Sequence, residues 1–164
     1  MSELAVGWNK VLSAFDSWIY YETEEFGPWT TYFSPSSLRD LTREERLGWM
    51  QKMHEELIPG RIESCRQASI ALEDFLPYMP DPSTRDTVQS MISLSGVIQD
   101  AMLQMSDIVA GMMEDYESGG LDDIAGALEA IADTEEDIRH HMSLYSKGFA
   151  KLKELGLEIP EEMS

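Results

Sequence analysis

The chain has 164 residues, one cysteine and a formal net charge of −19. That acidity argues against direct binding to nucleic-acid phosphates or anionic membranes, which need clustered Lys and Arg, and favours a basic protein partner met by fast, salt-sensitive association. The lone Cys65 excludes an internal disulfide and fits a reducing, cytoplasmic setting. No apolar run reaches the roughly 18 residues of a membrane span, and the N-terminus lacks a secretory pattern.

Taken in order, residues 3–24 predict an amphipathic helix with Leu4, Trp8, Val11, Phe15 and Trp18 on one stripe. Phe26 to Phe33 then read as a ring-dense loop, because Gly27-Pro28 and Ser34-Pro35 both oppose a continuing helix. Nine of the fifteen aromatic residues lie between Trp8 and Phe33. They suit either core packing or contact with a partner, for which Trp29 and Tyr32 are the candidate anchors.

A second helix starts at Thr42, where Thr42-Arg43-Glu44-Glu45 matches a capping box. Its stripe is Leu47, Met50, His54 or Met53, and Leu57. Pro59-Gly60 breaks or kinks it, and residues 61–76 resume with Ile62, Cys65, Ala68, Leu72, Phe75 and Leu76. Cys65 on that face reads as a buried, inert thiol. Pro77 to Pro82 forms a rigid turn.

Asp86 to Tyr116 is the central stretch. Val88, Met91, Ile98, Met102, Met105, Val109, Met112 and Tyr116 recur in steps of three and four, with Ser95 in the remaining slot. Such a period makes helices cross at shallow angles. Leu94, Val97, Ala101 and Ile108 lie off this seam, which predicts burial against several neighbours. Five of the eleven Met residues sit here, as core filler or as the lining of a groove. Asp81-Pro82-Ser83 starts the helix and Ser118-Gly119-Gly120 ends it.

The last helix, 121–155, carries Leu121, Ile124, Leu128, Ile131, Ile138, Met142, Tyr145, Phe149 and Leu152, with Glu135 in the seam. Gly156 caps it, and 156–164 is a short tail. Together these elements predict an all-α fold: a single domain over 1–164, an antiparallel bundle of four to five helices with a long C-terminal hairpin of 83–117 and 121–155.

Charge is the strongest functional signal. Between Arg85 and Arg139 there are thirteen acids and no Lys or Arg. An ordinary exposed helix mixes signs to gain i,i+4 pairs, worth roughly 0.2–0.5 kcal/mol each. The acidity serves solubility, or it forms an anionic face. Alternatively, arginines among residues 39–66 answer it within the fold or across a homodimer. Stripes such as Glu129, Asp133 and Glu136 space charge every ~5–6 Å, close to one phosphate strand, so DNA mimicry is one form of the second reading.

Asp133 to His141 is the best metal candidate, through Glu136/His140 and Asp137/His141. Those pairs face away from the seam, however, and no second Glu-x-x-His occurs. Glu135 in the seam must pair or stay protonated, with Ser95, Arg139 or an arginine of 39–66 as partner. It is a bundle-register device, a partly exposed residue, or a ligand or proton-transfer group. No nucleophile triad, phosphate loop or zinc motif is present.

The sequence therefore points to a non-enzymatic binding protein without a cofactor. It would occlude a basic surface, such as that of a nucleic-acid-binding protein or nuclease, in the manner of an inhibitor, immunity protein, antitoxin or phage counter-defence factor. The docking residues would be Asp100, Asp107, Glu114, Asp115, Asp122, Glu129, Asp133, Glu136 and Asp137, with Trp29 and Tyr32. A metal- or cofactor-binding bundle and a self-assembling structural subunit are the alternatives.

Overall fold

In the computed structural model, which describes residues 2–163, the chain is helical with no strand among the described residues. The ends of the expected domain, Met1 and Ser164, lie outside that range. Seven α-helices run in order: α1 (Glu3–Tyr20), α2 (Pro35–Arg39), α3 (Arg43–Lys52), α4 (Ile58–Phe75), α5 (Pro82–Ser118), α6 (Ala125–Ser143) and α7 (Tyr145–Lys153).

Joined end to end, α3–α4 and α6–α7 are two long rods, and with α1 and α5 they make an up-down-up-down four-helix bundle. Contacts along the rods fix the directions. Trp8 meets Phe75 while Tyr21 meets Leu57, so α1 and α4 are antiparallel. Arg46 reaches Tyr116 while Cys65 reaches Ser95, so α4 and α5 are antiparallel. Trp8 packs on Phe149 and Phe15 on Tyr145, which sets α7 against α1 in the same sense.

Local chemistry explains the helix ends. Asp81 Oδ1 accepts from the Thr84 amide at 2.8 Å and starts α5. The Thr42 and Glu45 side chains satisfy each other's backbone amides at 3.1 and 3.0 Å, as the capping box requires. Gly156, at φ +86°, lies just beyond α7 in the left-handed region that suits glycine.

The expected seam of α5 is buried at every position, Ser95 included, and this 37-residue helix is about 55 Å long at 1.5 Å per residue. The expected burial against several neighbours stops short of one face of the helix. Val97 is 48% and Leu103 52% exposed, because α4 and the α6–α7 rod leave the outer face of α5 open.

Three further expectations need correction. The segment 26–33 is not a loop: a π turn (Tyr21–Phe26) widens the end of α1, and a 3₁₀ stretch (Gly27–Tyr32) follows. Pro59 neither splits the α3–α4 rod nor delays its resumption to residue 61. A second π turn (Met53–Leu57), closed by the Ile58 amide on the Met53 carbonyl, carries the chain through. Pro28 and Pro59 each fall in the first turn after a π turn, where the missing N–H costs little. Finally, 121–155 is not one helix. A 3₁₀ turn (Leu121–Ile124) opens it, and a turn at Leu144 breaks it. There the Ser143 and Ser146 hydroxyls donate to the His140 and Ser143 carbonyls, a competition that bends helices.

The two π turns touch. The Tyr21 hydroxyl donates to the Leu57 carbonyl at 2.7 Å, and it occupies the space where a Cβ on residue 60 would sit. Gly60→Ala should therefore lose about 1–3 kcal/mol in urea unfolding, and Tyr21→Phe about 1 kcal/mol. Gly48→Ala, mid-helix with open space around it, should gain up to ~1 kcal/mol. Equal responses at residues 48 and 60 would contradict the close approach.

Candidate functional site

Glu135, the misfit of the α6 seam, is buried and paired. Arg61, at 0% exposure, spans the bundle interior between two carboxylates. Its Nη1 and Nη2 donate to Glu135 Oε1 and Oε2 at 2.6 and 3.0 Å. Its Nε and Nη2 donate to Glu22 Oε2 and Oε1 at 2.6 and 2.7 Å. Arg139 Nε adds a bond to Glu135 Oε2 at 2.7 Å, and Trp18 Nε1 one to Glu22 Oε2 at 3.1 Å. The Phe26 ring lies 4.0 Å from the guanidinium carbon, a cation–π contact.

Two arginines and two glutamates therefore sum to zero charge. Burial works against the Arg61 charge, but the hydrogen bonds and charges of Glu22, then of Glu135, outweigh it and hold the guanidinium above its ordinary pKa. Of the partners expected for Glu135, Arg139 and an arginine of the 39–66 stretch are realised. Ser95 is not: it donates to the Met91 carbonyl and shares a 2.5 Å hydrogen bond with Tyr145. Arg61 is thus the member of the 39–66 stretch that answers Glu135, while Glu22, its other partner, carries no mark of burial in the sequence.

Asp100, Asp107, Glu114, Asp115, Asp122, Glu129, Asp133, Glu136 and Asp137 are all exposed. Among the described residues none of them has a Lys or Arg within ion-pair distance; Asp137 has the His141 ring at 3.5 Å.

Of the six Lys and Arg between 39 and 66 that could have answered them, all but Arg39 are engaged elsewhere. Arg43 donates to the Tyr116 and Glu117 carbonyls, both at 3.3 Å, at the negative end of the α5 dipole. Arg46 donates to the Leu38 and Arg39 carbonyls and the Tyr116 hydroxyl. Arg66 pairs with Glu63, and Lys52 with Glu56.

Asp100, Leu103 and Asp107 follow one another at helical spacing on the open face of α5. This puts an exposed leucine between two aspartates, a feature hidden in the sequence because Leu103 lies outside both apolar sets. Trp29 and Tyr32 are half-buried. Trp49 packs on the Tyr32 ring and donates to the Trp29 carbonyl, and Lys52 sits over the Trp29 ring.

No three His, Cys, Asp or Glu side chains converge as a metal-ligating group among the described residues. No described helix is long and apolar enough to cross a membrane. Comparison with protein-family models, curated proteins and solved structures finds no match.

Arg61→Ala would leave Glu22 without a cation and Glu135 with Arg139 alone, and should cost about 3–5 kcal/mol by chemical denaturation. The triple replacement Arg61→Met, Glu22→Leu, Glu135→Leu should range from neutral to about 4 kcal/mol more stable. A large loss in both would mean that the charges themselves, not their pairing, maintain the fold.

Cys65 is pushed up to about 12 by burial, then by the Glu22 charge, with Arg61 opposing. At pH 8 roughly one molecule in ten thousand is thiolate. Ellman's reagent should leave the native chain unlabelled and react fully after denaturation. Prompt native labelling would refute the buried thiol.

Proposed function

We propose that this chain is a binding protein that docks on a basic surface of another protein through the outward acids of α5 and α6. What supports the reading is that the carboxylates from Asp100 to Asp137, Glu135 apart, have no Lys or Arg within ion-pair distance among the described residues, while nearby arginines are spent on backbone carbonyls and the interior. Like-charge crowding weakens the fold slightly, and a cationic surface would relieve it. Leu103 supplies an apolar contact within the acidic stripe. A partner patch that is basic at its rim and apolar at its centre is the natural complement.

The mechanism is occlusion. Carboxylates of this chain take up Lys and Arg that would otherwise hold phosphate, as in an inhibitor of a nucleic-acid-binding protein or nuclease. Electrostatic steering makes the encounter fast and salt-dependent.

The test is capture from the source cell on the immobilised chain. A partner should be held at roughly 0.05 M salt and released by about 0.5 M. The variant Asp107→Asn, Glu129→Gln, Asp133→Asn, Glu136→Gln should retain almost none of it, and Leu103→Ser should weaken binding about tenfold. A partner indifferent both to salt and to the fourfold variant would refute the acidic surface.

A further inference from the structure

Lys147 and Lys151 line a groove between α7 and the N-terminal half of α5, beside Leu94, Val97 and Leu144. Val97 is 48% exposed, and Leu94 and Leu144 are half-buried, so apolar surface is open there. Both lysines are exposed, and neither has a carboxylate within ion-pair distance among the described residues.

This face continues into the acidic half of the rod. Ile124, Ile131, Ile138, Tyr145 and Leu152 are buried at steps of seven, so the turn at Leu144 leaves the rod in phase. Outward residues seven apart therefore share a face as well. Asp133 leads through His140 to Lys147, and Asp137 through Leu144 to Lys151. Both aspartates are exposed without a Lys or Arg at ion-pair distance, and only the His141 ring approaches Asp137.

The sign of the charge thus reverses along one face, and it does so symmetrically. Residue 142 is the midpoint between 133 and 151 and also between 137 and 147. Ser95 meets Tyr145 and Met91 crowds Gly148, so this midpoint lies level with residues 97 and 98 of α5. The exposed Val97 therefore marks the centre of the face.

We propose that two copies of this chain pair through this face, antiparallel about a twofold axis level with Val97. In such an isologous contact each helix lies against its own copy. Lys147 faces Asp137 of the second copy, Lys151 faces Asp133 of the second copy, and each pairing occurs twice. Leu94, Val97 and Leu144 supply the apolar middle. A row of one sign repels its own copy, whereas a row that reverses about its midpoint attracts it. An acidic helix from another protein would answer the lysines and leave Asp133 and Asp137 unmet; a second copy answers both. The α6–α7 rod is about 40 Å long and two helices are about 20 Å across. That face holds roughly 800 Å² per copy, the size of a standard stable interface. The inference does not rest on docking to a basic protein. The two share Asp133 and Asp137, so each excludes the other.

Two chains of net charge −19 repel at long range. The measurement therefore belongs at about 0.15 M salt, where the Debye length is about 8 Å and contact pairs persist. Light scattering on the purified full chain should give twice the 18.6 kDa of one copy. Lys147→Glu with Lys151→Glu, and Asp133→Lys with Asp137→Lys, should each weaken self-pairing at least tenfold, because all four contacts become like-charged. Val97→Asp sets two carboxylates against each other at the axis and should do the same from α5, which guards against a misfolded rod. Mixed in equal amounts, the two charge-reversed variants should form a heterodimer, with every contact again opposite in sign. A wild-type chain at 18.6 kDa across a dilution series would overturn the proposal. So would folded variants that still self-pair, or charge-reversed variants that stay helical and ignore each other.

Discussion

A single guanidinium sits where the rods of this bundle converge. Arg61 is fully enclosed, and an unpaired charge there would be untenable; everything around it is arranged to answer it. Glu22 comes from the end of α1, Glu135 from the middle of α6, and Arg139 balances the second carboxylate. Such a set adds little to stability compared with apolar filling. It does fix which residues of three rods share a level, since a shift of one helix by a turn would strand a charge. The apolar seams alone do not enforce this: methionines at four positions of the α5 seam would tolerate sliding.

This central arrangement separates two kinds of acid. Glu22 and Glu135 are consumed by the interior. The acids that line the outside of α5 and α6 are left over because Arg61 looks inward, and Arg43 and Arg46 staple the C-terminal end of α5 to α2 and α3. With few cations, the chain spends Arg43, Arg46, Arg61 and Arg139 on its own architecture and leaves the far surface of α5 and α6 uncompensated. The proposed docking function and the interior network are thus two results of one allocation of charge.

Much of the architecture can be read from the residues. The three-four spacing from Val88 to Tyr116 matches the buried face of α5 position by position, and the caps at Thr42 and Asp81 are where their chemistry puts them. Glu135 announces itself as a polar residue on an apolar seam. The prolines mislead, because the rule that proline ends a helix assumes regular α-geometry, and a π turn removes the conflict. Exposure on α5 is hidden too: an apolar residue such as Leu103 carries no mark saying that no neighbour will cover it.

The wide turn before Pro59 leaves a trace in the order of buried residues. Met53, Leu57, Arg61 and Cys65 follow in three consecutive steps of four. On a regular helix each such step drifts by about 40°, so the last would face sideways; the wider coil cancels the drift. The surplus residue is therefore absorbed where it stands, like a spliced link. There the rod carries one residue more than a regular coil would hold, and the side chains beyond it keep their bearing on the core.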